Sequence, residues 1–141
     1  KGEKYMLKKD GYGQWQNTLC FIGDDEDRQG HMKAANTFAN FVTSEHEGLI
    51  TKKILLDAYP QEASATGPVY PDVNKEIYEL IHKGLLLINY VGHGGEVGLT
   101  EERVINIPEI NSWKNEYLPI FFTATCEFSR FDNHERLSAG G

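Results

Sequence analysis

Four short, continuously apolar runs, with amphipathic helices between the first three, constrain the fold of this chain more than any other feature of it. The runs fall at residues 18–22, 49–56, 85–91 and 118–125. Continuous apolarity over so few residues marks a strand buried on both faces, not the alternation of a half-solvated one. Between the first two, Met32, Ala35, Phe38, Ala39 and Val42 recur at helical spacing over residues 30–45. Between the second and third, Val73, Ile77, Leu80 and Ile81 form another such stripe, with Asp72 as N-cap and Gly84 as the stop. A possible short helix at residues 100–103 precedes the fourth run. This order predicts an α/β fold, a mostly parallel sheet with helices on both faces in three layers. Residues 1–17, rich in Gly and Lys, read as a lead-in segment ahead of a domain at 18–141. Four strands are few for such a sheet, so the domain is expected to be the N-terminal part of a longer protein.

The charge balance narrows the partners. Acidic residues number 21 and basic residues 14, a formal charge of -7. Duplex nucleic acid needs a basic stripe to replace its counterions, so no nucleic-acid partner is expected. No run of about 18 apolar residues exists to span a bilayer. Cys20 and Cys126 are the sole cysteines and imply no disulfide framework. The five histidines, His31, His46, His82, His93 and His134, show no ligand spacing, so no metal and no cofactor is expected.

In an open parallel sheet, sites form beyond the carboxyl ends of the strands. Here the first strand ends in Asp24-Asp25, the third in Gly92-His93-Gly94-Gly95 and the fourth in Ala124-Thr125-Cys126-Glu127. Neighbouring strands lie about 4.8 Å apart. In the 2-1-3-4 strand order, His93 then faces Cys126 across one gap, and an Asp stands behind the imidazole. Orienter, base and nucleophile in line are what a cysteine hydrolase needs. An ordinary thiol, with a pKa of ~8.5, is only slightly ionised at neutral pH, and a nearby imidazole raises that fraction. The imidazole then protonates the leaving amine. The amides of Gly94 and Cys126 are candidates for an oxyanion hole.

Plainer readings compete. A lone Cys at a strand end is usually a small buried hydrophobe, and Cys20, within Leu-Cys-Phe-Ile, reads that way. The acidic run at residues 24–27 reads as a solvated loop by default, as an orienter of His93, or as oxygen ligands for a hard cation. The glycines of residues 92–98 suggest a dinucleotide loop, but a true one opens directly into a helix and belongs to the first unit of the fold.

Two blocks carry a resemblance. Leu86-Leu87-Ile88-Asn89-Tyr90-Val91-Gly92-His93-Gly94-Gly95 resembles the Asn-Tyr-x-Gly-His-Gly block of the gingipain family of cysteine peptidases. Pro119-Ile120-Phe121-Phe122-Thr123-Ala124-Thr125-Cys126 is similar to the strand that carries that family's nucleophile, and the 33-residue separation of His93 and Cys126 fits its pattern. The resemblance implies a caspase-like fold, Cys126 as nucleophile and His93 as catalytic histidine. It implies an acid at Asp25, with Asp24 as the alternative. The continuation Glu127-Phe128-Ser129-Arg130-Phe131-Asp132 departs from the secreted gingipains and is similar to the sortases of the type IX secretion system. That branch implies a cell-surface or outer-membrane enzyme. Its substrates are proteins bearing C-terminal sorting domains, and outer-membrane secretion components are its possible partners. The contrasting expectation is a caspase-like module that binds proteins without catalysis.

Overall fold

The computed structural model describes residues 12–129 and 138–140. Residues 1–11 of the lead-in segment, and Arg130 to Leu137 with His134 among them, lie outside the described residues.

Strand β1 (Thr18–Gly23), helix α1 (Gly30–Glu45), strand β2 (Ile50–Leu55), helix α2 (Pro71–Lys83), strand β5 (Leu87–Val91) and strand β9 (Ile120–Ala124) form the main body. The four strands make one parallel sheet in the order β2-β1-β5-β9. This is an α/β fold of the caspase-like kind, with the strand order expected of the sequence. Alternate residues of each strand feed two layers. Cys20, Ile22, Ile88 and Tyr90 face Val73, Ile77 and Ile81 of α2 in the larger core, while Leu19 and Phe21 pack with Ala39 of α1 on the other face.

Local chemistry explains most boundaries. Helix α2 begins at Pro71, whose fixed φ and missing N–H suit the first helical position. The N-cap is therefore Tyr70 and not Asp72, which lies inside the first turn. The helix ends at Gly84, where φ is 90°. A Cβ there would sit 3.0 Å from both the Trp15 and Tyr117 side chains, which stack with ring centroids 4.6 Å apart. Trp15 belongs to a 3-10 turn (Gln14–Asn17), so the described end of the lead-in segment is packed and not a free loop.

Three short pieces differ from the sequence reading. Strands β3 (Glu62–Ser64) and β4 (Gly67–Val69) form a hairpin within the polar stretch after β2. Strands β6 (Gly94–Gly95), β7 (Gly98–Leu99) and β8 (Val104–Asn106) form a small antiparallel sheet. No helix forms over residues 100–103, because Thr100 and Arg103 hold left-handed φ values of 59° and 57°. The helix of this region is α3 (Ile107–Ser112), opened by a capping box between Asn106 and Glu109. Among the described residues no helix is long and apolar enough to cross a membrane.

Candidate active site

Strands β5 and β9 are adjacent and parallel, and their last registered pair is Val91 with Ala124. The Gly92 amide still donates to the Ala124 carbonyl at 3.3 Å. His93 and Cys126 each stand two residues beyond that last pair, on loops that leave the same carboxyl edge of the sheet. The following residues keep the two loops together. A Cβ on Gly94 would run into the Thr125 hydroxyl and stand 3.2 Å from the Cys126 carbonyl oxygen. Only glycine allows that approach. Glu127, next after Cys126, has a left-handed φ of 54° and turns the chain sharply at the thiol.

The two thiols differ completely. Cys20 is 1% exposed and lies in the α2-side core, where burial above all pushes its pKa up to about 12. Cys126 is exposed at the sheet edge.

His93 is held through its backbone. Its N–H donates to Asp24 Oδ2 at 2.8 Å, and its carbonyl accepts from the Tyr90 hydroxyl and from the Thr100 amide, the latter at 2.9 Å. The imidazole itself is open, with a side chain 53% exposed. The carboxylate that meets it is Glu26, whose Oε2 lies 3.7 Å from Nε2. Burial, then Glu101 and Asp24, push the Glu26 carboxyl above its usual range, while His93 pulls the other way. The ring of His31 stands edge-on to His93 with centroids 5.0 Å apart.

The two aspartates singled out from the sequence take other tasks. Asp24 is fully buried and reaches the His93 backbone, as just described. Asp25 accepts the Tyr70 hydroxyl at 2.7 Å through Oδ2. Sequence reasoning did not single out Glu26 or Glu102. The readable signal for Glu26 was the acidic run itself. Which member faces the histidine depends on the turn at Asp27, Arg28 and Gln29, whose φ values of 56°, 52° and 66° no local rule predicts. Glu102, 5% exposed, comes from the turn after β7 to meet Asp24 and Asp25.

Two groups of ligand-type atoms result, although the spacing of the histidines suggested none. One oxygen or nitrogen from each of Asp24, His31 and His93, and one oxygen from each of Asp24, Asp25 and Glu102, lie within 4.8 Å of one another. A cavity of about 300 Å³ opens beside His93 and is lined by Gly94, Gly95, Val97, Thr100 and Arg103 among others. A larger groove, about 920 Å³, lies between Trp15, Ile50 and helix α2 and includes none of these site residues. The glycine run at 92–98 forms the β6–β7 hairpin and opens into no helix, which removes the basis for a dinucleotide site.

A family model described as peptidase family C25 matches residues 1–141. The chain belongs to peptidase family C25. This is the gingipain family, and it makes the chain a cysteine peptidase by descent, in agreement with the parallel sheet. Neither the curated proteins nor the solved structures yield a match.

Proposed function

We propose that this C25 domain cleaves peptide bonds with Cys126 as nucleophile and His93 as general base, and that its branch is the type IX secretion sortase, PorU. The observation that carries the dyad is the shared register. Two adjacent parallel strands overrun their last pair by two residues each, ending on an exposed thiol and an open imidazole.

In this reading Sγ of Cys126 attacks the scissile carbonyl carbon, and the thiol proton passes to His93. The carbonyl oxygen takes the negative charge and is met by the amides of Gly94 and Cys126. Collapse breaks the C–N bond as His93 returns the proton to the leaving amine, and a thioester remains. Water or a second amine then attacks the thioester and releases the thiol, giving hydrolysis or transfer. The orienting carboxylate is Glu26 or Asp25. Contact with the ring favours Glu26, and the resemblance to the gingipains favours Asp25.

The sortase branch rests on Cys126-Glu127-Phe128-Ser129-Arg130-Phe131-Asp132 beside the Gly-His-Gly-Gly block. On this reading the substrates are the C-terminal sorting domains of secreted proteins. The enzyme works at the cell surface beside outer-membrane secretion components.

The test is turnover of a peptide spanning a sorting-domain junction, with and without an added amine acceptor. Cys126→Ala and His93→Ala should each abolish product, and amine should divert product from acid to amide. Glu26→Gln and Asp25→Asn should lower turnover less, since an orienter contributes less than a nucleophile. Full turnover by Cys126→Ala would remove the proposal. Binding of the peptide without turnover by the wild type would leave a non-catalytic module.

A further inference from the structure

We propose that Asp24, His31 and His93 form a zinc site that shuts off His93. One ligand atom from each lies within 4.8 Å of the other two. The three come from separate segments: Asp24 follows β1, His31 lies in the first turn of α1, and His93 follows β5. Two of them carry buried polar atoms without partners. Asp24 is 0% exposed and accepts the His93 N–H through Oδ2, while its Oδ1 is buried and has no hydrogen-bond partner. His31 Nδ1 is likewise buried without a partner. The His31 ring stands edge-on to His93, with centroids 5.0 Å apart. Stacking accounts for that contact and leaves both orphaned atoms unexplained. A buried polar atom without a partner is costly, and one shared cation satisfies both.

The donor set selects the metal. Hard cations such as magnesium take oxygen ligands and have little use for imidazole. Two imidazoles with one carboxylate suit zinc, which accepts three protein ligands and a water in the fourth position. The half-open setting admits that water, since the His93 side chain is 53% exposed. Glu101 and Asp25 act electrostatically on Glu26, beside the His93 ring, so the surroundings draw a cation.

A neutral imidazole has one N–H and one lone pair. Zinc bound to His93 takes the lone pair, and the proton stays on the other nitrogen. No basic position is then left for the Cys126 proton, so the ion and that proton compete for one electron pair. Removal of zinc restores the base. His31, which the dyad itself does not use, makes the histidine sensitive to metal. The inhibitory half of this inference rests on His93 as the proposed base, and the binding half does not.

Zinc chloride titrated into the full chain in a calorimeter should show one ion bound per chain. His31→Ala should weaken binding by about tenfold or more, and Cys126→Ala should leave it unchanged. Iodoacetamide labelling of Cys126 gives a second reading. Zinc should slow it in wild type toward the rate of His93→Ala, EDTA should restore it, and the same zinc should have little effect in His31→Ala. If His31→Ala fails to fold, nitrogen NMR of the histidine rings in wild type decides. One equivalent of zinc should shift the His31 and His93 rings and leave His46 and His82 in place. No heat with zinc in large excess would overturn the site. So would undiminished binding by His31→Ala, a ring shift confined to His93, or loss of binding in Cys126→Ala, which would place the ion on the thiol. If the dyad itself fails, labelling is indifferent to His93→Ala while the calorimetric loss in His31→Ala remains, and the zinc site stands without its inhibitory role.

Discussion

Strands β1 and β9 both end at the site, yet they are opposite in character. Strand β1 is central, with β2 on one side and β5 on the other, and residues 19–23 are buried. Strand β9 is an edge, and Ile120 and Phe122 on one of its faces are 58% and 64% exposed. The contrast extends past the strand ends. After β1, Asp24 is fully buried and fixed to the His93 amide, whereas after β9, Cys126 is exposed. One side of the proposed dyad therefore follows a central strand, and the other follows an edge strand paired on one side only, with Phe128 just beyond the thiol returning to the core.

The largest expected break in that comparison uses one residue type at two places. Ile22→Ala, on β1 at 0% exposure, should lower unfolding free energy by about 2–5 kcal/mol, through lost burial and a cavity. Ile120→Ala, on β9, should change it by no more than about 0.5 kcal/mol. Urea denaturation of the two variants checks both, and similar losses would mean that β9 is covered in solution.

A smaller effect is expected at the glycines beside His93. A Cβ on Gly92 would run into Asp24 and Tyr90, so Gly92→Ala should cost about 1–3 kcal/mol of stability. Nothing lies within 4 Å of a Cβ on Gly95, so Gly95→Ala should fold with nearly unchanged stability. Equal denaturation midpoints for the two variants would show that the β1 side is not tightly packed against the histidine loop.

Alkaline pH sharpens the comparison further. Burial raises the Cys20 pKa to about 12, and burial also raises those of Tyr59, Tyr70 and Tyr90. A raised folded pKa means that the contribution is complete below the ordinary thiol and phenol ranges. It is lost as pH climbs from there, since the unfolded chain releases its protons first. Denaturation midpoints should thus fall between about pH 8 and about pH 10.5. Cys20→Ala should soften that fall and Cys126→Ala should leave it as it was. An unaltered fall in Cys20→Ala would assign the whole effect to the tyrosines.

The sequence revealed the sheet because its signal is local and repeated. Continuous apolar runs and 3.6-residue stripes place β1, α1, β2, α2, β5 and β9 within a residue or two, and the strand order follows from crossover rules. The short pieces left no such signal. Glu62-Ala63-Ser64 is exposed throughout, and Gly94-Gly95 has no side chains to alternate. Helix α3 carries a readable signal, since Asn106-Ile107-Pro108-Glu109 has the capping pattern with proline near the start, but at six residues it is too short for an apolar stripe. At the site, strand ends brought His93 and Cys126 to one edge. The division of labour among Asp24, Asp25 and Glu26 was illegible, because it is decided by a left-handed turn and by Tyr70 and Glu102, which arrive from distant segments.

The most direct test of the proposed dyad is the rate of alkylation of each thiol in folded protein near pH 6.5. An ordinary thiol is only about one per cent ionised there. Peptide mapping after a brief exposure to iodoacetamide should find Cys126 modified and Cys20 untouched. His93→Ala should slow modification of Cys126 toward the rate of an ordinary exposed thiol. Equal labelling of the two cysteines, or an unchanged Cys126 rate in His93→Ala, would contradict the account.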